Sequence, residues 1–149
     1  MTRALTGILL LVGALAAQAM PARGQTAAEA DVAWRRGDTE TADRLYSSRI
    51  AADSSDVVAL HRVALIRAWS EKYDQSLTLF DRLLRVAPDN IEAAVDRARV
   101  LAWSGDTRAA IAALDEILTR NPRSRPALEA RAQFTSWSGR YGESVATYN

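Results

Sequence analysis

Three tryptophans, Trp69, Trp103 and Trp137, stand 34 residues apart in "AWSEK", "AWSGD" and "SWSGR". An indole offers a wide face for stacking on a peptide or a sugar ring, and it buries a large area when packed inside a protein. A tryptophan that recurs at a fixed interval can therefore be a binding residue or a structural mark. Reactive chemistry is sparse. His61 is the single histidine and there is no cysteine, so neither a usual His/Cys metal site nor a disulfide framework can be assembled. As a general base His61 would need a nucleophile and an orienting partner, and it reads as a surface or groove residue. No Gly-rich phosphate loop, HExxH or nucleophile elbow is present. No catalytic residue, cofactor or metal is expected, and the chain does not read as an enzyme.

The interval of 34 extends beyond the tryptophans, because Pro88 and Pro122 repeat it. A period of this length marks stacked supersecondary units that cannot bury their apolar faces alone. After each tryptophan apolar residues return at helical spacing: Leu77, Phe80, Leu83 and Leu84, then Ile111, Leu114, Ile117 and Leu118. Before it runs an alanine-rich segment such as "IEAAVDRARVLAW", also helical in pattern. Gly105 and Gly139 fall where a helix end accepts positive φ, and the prolines of "APDN" and "NPRS" close the second helix. The spacing predicts helix, turn, helix, turn in each unit. Charged pairs at helical spacing, Asp81/Arg85 and Asp96/Arg99, read as solvated faces.

A 34-residue helical hairpin of this kind resembles the tetratricopeptide repeat. The second unit, 57–90, carries Ala64, Ser76, Phe80 and Pro88 at the positions that mark the family; the third, 91–124, carries Ala98, Ala110, Leu114 and Pro122. Residues 125–149 begin a fourth unit, with Ala132, Ser144 and Tyr148, and 25–56 form a degenerate first unit or cap that keeps Gly37, Ala42 and Tyr46. Arg97 and Arg131 depart from the pattern, standing where a large apolar residue is usual, and Trp34 is one residue out of step with the later tryptophans. The resemblance implies an all-α, right-handed superhelical solenoid whose concave groove holds a partner peptide. It places Leu65, Arg99 and Gln133 in that groove, with Trp69, Trp103 and Trp137 one turn further along the same face. Two roles for the tryptophans stay open: a ladder for an extended peptide or sugar rings, or a cap on the next repeat.

The first 24 residues differ from the rest. "MTR" and the uncharged "ALTGILLLVGALAAQAM" form a signal peptide, with cleavage expected after Ala19 or Gly24. Export to the periplasm or outer membrane is expected, and membrane contact would come only through an uncleaved leader or a C-terminal β-barrel beyond this sequence. The chain has 19 basic and 18 acidic residues; Arg3, and with the later cleavage Arg23, leave with the leader, so the remainder is near neutral. That balance argues against nucleic acid, whose binding rests on neutralising phosphates. At the other end Val145 and Tyr148 start an apolar stripe without a capping helix, so a longer protein is expected. The wording "ARVLAWSGD" more loosely resembles the periplasmic repeats that precede outer-membrane β-barrels in envelope and exopolysaccharide-export proteins of the YaiO-like family. The function expected is an exported scaffold for protein–protein interaction, with glycan binding along the tryptophans as the alternative.

Overall fold

The computed structural model describes the backbone of residues 23–147 and the side chains of residues 27–139. Seven helices follow one another: α1 (Arg23–Arg35), α2 (Thr39–Ala52), α3 (Val57–Trp69), α4 (Tyr73–Val86), α5 (Ile91–Trp103), α6 (Thr107–Arg120) and α7 (Arg125–Thr147). No strand occurs among the described residues, and the chain is the all-α helical-hairpin solenoid expected from its period. Among these residues no helix is long and apolar enough to cross a membrane. Nearly all of the expected leader, Tyr148, and the side chains of Ser144 and Val145 lie outside the described residues.

Three hairpins turn in the same way. Gly37, Glu71 and Gly105 have φ of 73°, 58° and 100°. Each donates its N–H three residues back, to Trp34, Ala68 and Ala102, while the next residue donates five back, from Asp38 to Ala33, Lys72 to Arg67 and Asp106 to Leu101. This Schellman arrangement occupies carbonyls that a helix end leaves unpaired. Glycine suits the left-handed position; Glu71 takes it despite its Cβ. Asp38 and Asp106 then cap α2 and α6 by accepting from the N–H of Thr41 and Ala109, whereas Lys72, in the same register, gives α4 no side-chain cap. The Thr41 N–H holds the exposed Asp38 carboxyl below its ordinary value.

The turn expected at Gly139 is absent. Gly139 lies inside α7, which runs unbroken over Arg125–Thr147, and it shows no positive φ. A turn gives up intrahelical hydrogen bonds and is repaid only when the second helix packs against the first. Residues 140–147 continue the helix and keep those bonds.

Within a hairpin the helices cross at small residues. Ala64 and Ser76 are fully buried, as are Ala98 and Ala110, and the Ser76 hydroxyl donates to the Ala64 carbonyl at 2.8 Å. One large side chain per hairpin fills the space beside them: Tyr46, Phe80 and Leu114, in register and fully buried. The apolar interior is a row of three clusters, as expected when each repeat contacts only its neighbours.

The two arginines that depart from the family pattern bridge consecutive hairpins. Nε of Arg97 donates to Asp81 at 2.6 Å, and that of Arg131 donates to Asp115. Each pair ties a first helix to the second helix of the preceding hairpin. At the earliest junction both partners differ, Ser47 and Val63 standing in their places, with Val63 buried. Asp81 thus finds Arg97 across the junction rather than Arg85 on its own helix.

α3 touches α5 and α5 touches α7, while α2, α4 and α6 make no contact with one another. From α3 onward, first helices therefore approach one another more closely than second helices do. The first helices form the inner, concave layer.

Candidate functional site: the concave groove

α3 presents Val58, Arg62, Leu65 and Trp69 as exposed or half-buried residues, and α5 presents Glu92, Asp96, Arg99 and Trp103. The steps of four, three and four keep each set on one stripe of its helix. On α7, Gln133 and Trp137 are exposed. The tryptophans are the notable members, since Trp69 is 56% exposed and Trp103 and Trp137 are 40% exposed. Leu65 is half-buried against the α3–α4 cluster, and Arg99 Nη1 donates to Asp96 at 2.7 Å. The six residues singled out from sequence thus lie on the inner layer, but their indoles do not touch one another. Trp69 stacks on Trp34, Trp137 tilts against Phe134 on its own helix at 5.4 Å, and Trp103 has no ring contact among the described residues.

The Trp34 contact was not read from the sequence, although its signal was the one-residue offset. Trp34 stands in register with Ala68 and Ala102, small residues buried at helix contacts. An indole in place of a methyl group there reaches α3 and lies against Trp69, with ring centroids 5.2 Å apart and planes 19° from parallel. The guanidinium of Arg62 lies over the Trp34 ring at 4.4 Å. Arg62 and Trp69 are seven residues apart on α3, and Trp34 of α1 contacts both.

A second set of groove residues joins α3 to α5. His61 is 9% exposed, so of the two places its sequence context allowed, surface or groove, it lies at the groove and is buried there. Its ring meets the edge of Phe80, and Nε2 lies 2.8 Å from Asp96. His61, Glu92 and Asp96 bring ligand-type atoms within 4.8 Å of one another, an arrangement able to gather a cation. Asp96, however, gives one oxygen to His61 and the other to Arg99. The geometry is that of a polar clamp between two helices. Sequence reasoning missed it because His61 and Asp96 are 35 residues apart, one more than the repeat.

At the first hairpin Tyr46 donates its hydroxyl to Asp31 at 2.5 Å. Burial, the bond to Asp31 and that carboxylate's charge push the phenol up to about 12. A buried O–H with a carboxylate partner is satisfied as long as it keeps its proton.

Two-helix units in a row, an inner layer of first helices and a groove of exposed aromatic and charged residues define a helical-repeat solenoid. Residues 70–134 match the tetratricopeptide repeat family, and that span carries tetratricopeptide repeats. Among solved structures it is similar to a tetratricopeptide repeat protein from Parabacteroides merdae ATCC 43184, with a TM-score of 0.71 and 21% identity over 82% of this chain and 48% of that one. It is also similar to the second TPR domain of the human RPAP3 protein in complex with an HSP70 peptide, with a TM-score of 0.66 and 16% identity over 76% and 98%. A third likeness is to a Thermobaculum terrenum O-GlcNAc transferase, with a TM-score of 0.67 and 21% identity over 75% of this chain and 22% of the transferase. The chain thus spans under a quarter of the transferase and about half of the Parabacteroides protein. At these identities the likeness is one of fold. Among curated proteins none matches the chain in sequence.

Proposed function

We propose that this chain is an interaction scaffold whose concave groove holds a protein partner as an extended peptide. The observation that carries this reading is the stripe of groove residues on α3 and α5, ending in tryptophans that remain 56% and 40% exposed. Tryptophan is enriched at binding interfaces, where one face of the ring stays available to a partner. The RPAP3 domain, which shares the fold, is in complex with a peptide, and that supports the same use of this groove. To test it, peptides would be selected from a random display library on the full chain and titrated by calorimetry. Loss of about tenfold or more in affinity on Leu65→Glu or Gln133→Glu, roughly 1.4 kcal/mol, is expected. Unchanged affinity would place the peptides elsewhere.

The groove reading extends to location and partner class. The charge-poor leader before Met20 supports export to the cell envelope. Protein recovered from the periplasm that begins at Met20 or Gln25 is the expected outcome of N-terminal sequencing. A place beside an outer-membrane barrel rests on the few residues of the looser family likeness. Glycan binding is the second reading, favoured by the three exposed indoles. Retention on immobilised polysaccharide that disappears when all three tryptophans become leucine would support it.

A further inference from the structure

We propose that the outer face of Trp69 seats one neutral ring, a proline or an aromatic side chain, of the peptide in the groove, and that Arg62 takes a carboxylate of the same peptide. The proposal rests on the groove reading and specifies its ligand. Trp69 is fixed from behind by Trp34, which Arg62 backs in turn, so the seat is built before anything binds. An ordered platform loses less side-chain freedom on binding than a free indole.

Three features define the ligand. Arg62 forms no ion pair among the described residues, in contrast to Arg99, the arginine of the α5 stripe, which is held by Asp96. A half-buried guanidinium without a carboxylate favours an acidic partner. With a cation already stacked at one end, a second cation at the other would be repelled, which leaves neutral rings as the better guests. The nearest neighbour of Trp69 on its stripe is Leu65; it offers apolar contact and no hydrogen bond for a sugar hydroxyl, which favours a peptide ring over a glycan at this seat.

Spacing gives the register. From guanidinium to Trp69 the steps of 4.4 Å and 5.2 Å span at most about 10 Å, and a seated ring lies roughly 3.5 Å further. An extended chain covers that distance in about four residues. Acid and ring should therefore be no more than about four positions apart.

Fluorescein-labelled Ser-Glu-Ser-Ser-Ser-Tyr-Ser, its proline version and its alanine version would be titrated against the full chain by anisotropy. A neutral β-glucose hexasaccharide serves as competitor. The ring peptides should bind at least about tenfold tighter than the alanine peptide. Trp69→Ala should erase that preference, Val86→Ala, an exposed apolar residue on α4 outside the groove stripe, should leave it, and Arg62→Gln should erase the preference for Glu over Gln in the peptide. Should Trp69→Ala lose its helical circular dichroism, Trp69→Leu takes its place with the same expectation. Equal binding of ring and alanine peptides overturns the proposal. So does no binding of any of them, or displacement by the hexasaccharide that depends on Trp69. Display-selected peptides that bind through Leu65 but ignore Trp69→Ala would remove the ring seat and leave the groove reading standing. If no displayed peptide binds, the groove reading itself fails.

Discussion

Trp69 and Trp103 occupy the same register in consecutive repeats and end the same stripe of their helices, yet one stacks on Trp34, which also carries the Arg62 guanidinium, and the other has no ring contact among the described residues. The difference lies in the preceding unit. Before Trp69 comes Trp34, set one residue early; before Trp103 comes Ala68 at that position. One residue turns a side chain by about 100° around the helix, enough to move an indole from the groove surface to the junction with the next repeat. Equivalent residues in a repeat protein thus acquire their roles from neighbours. The first hairpin differs in a second way, since Tyr46 stands where Phe80 and Leu114 stand later, and its buried hydroxyl commits Asp31.

Replacing Trp34 by alanine should have the largest effect, removing the ring that meets both Trp69 and Arg62 and costing about 2 kcal/mol, below the 3–5 kcal/mol of a fully buried aromatic. Trp103→Ala should cost less than about 1 kcal/mol. Urea denaturation monitored by circular dichroism gives both, and equal losses would mean that the stack adds nothing over a lone indole.

Alkaline pH separates the first hairpin from the later ones. Tyr46 keeps its proton up to about 12 in the folded chain, whereas an unfolded tyrosine loses it near 10. The contribution is therefore complete below pH 10 and is lost as pH rises from 10 to 12. Tyr46→Phe, which matches Phe80, should flatten stability across that window. A slope equal to that of the parent chain would assign the alkaline loss to other groups.

The turns extend the comparison to the second and third hairpins, which share left-handed geometry but present Ser70-Glu71-Lys72 and Ser104-Gly105-Asp106. Gly105→Glu should cost about 1–2 kcal/mol, and Glu71→Gly should return up to about 1 kcal/mol. Lys72→Asp should add a cap worth about 0.5–1 kcal/mol. Melting temperatures of the single variants test the ordering; no gain from Glu71→Gly would show that the second turn carries no strain.

The smallest effect belongs to the bridge between Arg97 and Asp81. Both side chains are partly exposed, and a double-mutant cycle to alanine should give a coupling of about 0.2–1 kcal/mol. Replacing the pair by Val and Ser, the residues of the earliest junction, should leave stability within about 1 kcal/mol. A larger loss would mean that the bridge sets the angle between repeats.

Much of this architecture was legible in the sequence. The interval of 34, the small residues Ala64, Ser76, Ala98 and Ala110, and the turn glycine Gly105 led to helical hairpins, and the helices fall where the pattern placed them. Gly139 carried the same signal and did not become a turn. Glycine permits positive φ without requiring it; packing of the following helix decides. Glu71 shows the converse, a left-handed residue without a glycine, because the Schellman bonds on either side hold it there.

The groove divides along the same line. Its stripes follow from helical spacing, so Leu65, Arg99, Gln133 and the three tryptophans could be assigned to the inner layer from sequence. The pairing of Trp34 with Trp69, the burial of His61 against Asp96, and the bridges from Arg97 to Asp81 and Arg131 to Asp115 could not. Each joins residues of different helices, where crossing geometry and side-chain rotamers choose the partner. A periodic sequence therefore determined the hairpins and the face each helix turns inward, since those depend on local spacing. Only the tertiary structure decided which tryptophan is stacked, which groove arginine is paired with a carboxylate and which glycine turns the chain, because those outcomes depend on packing between residues of different turns and helices.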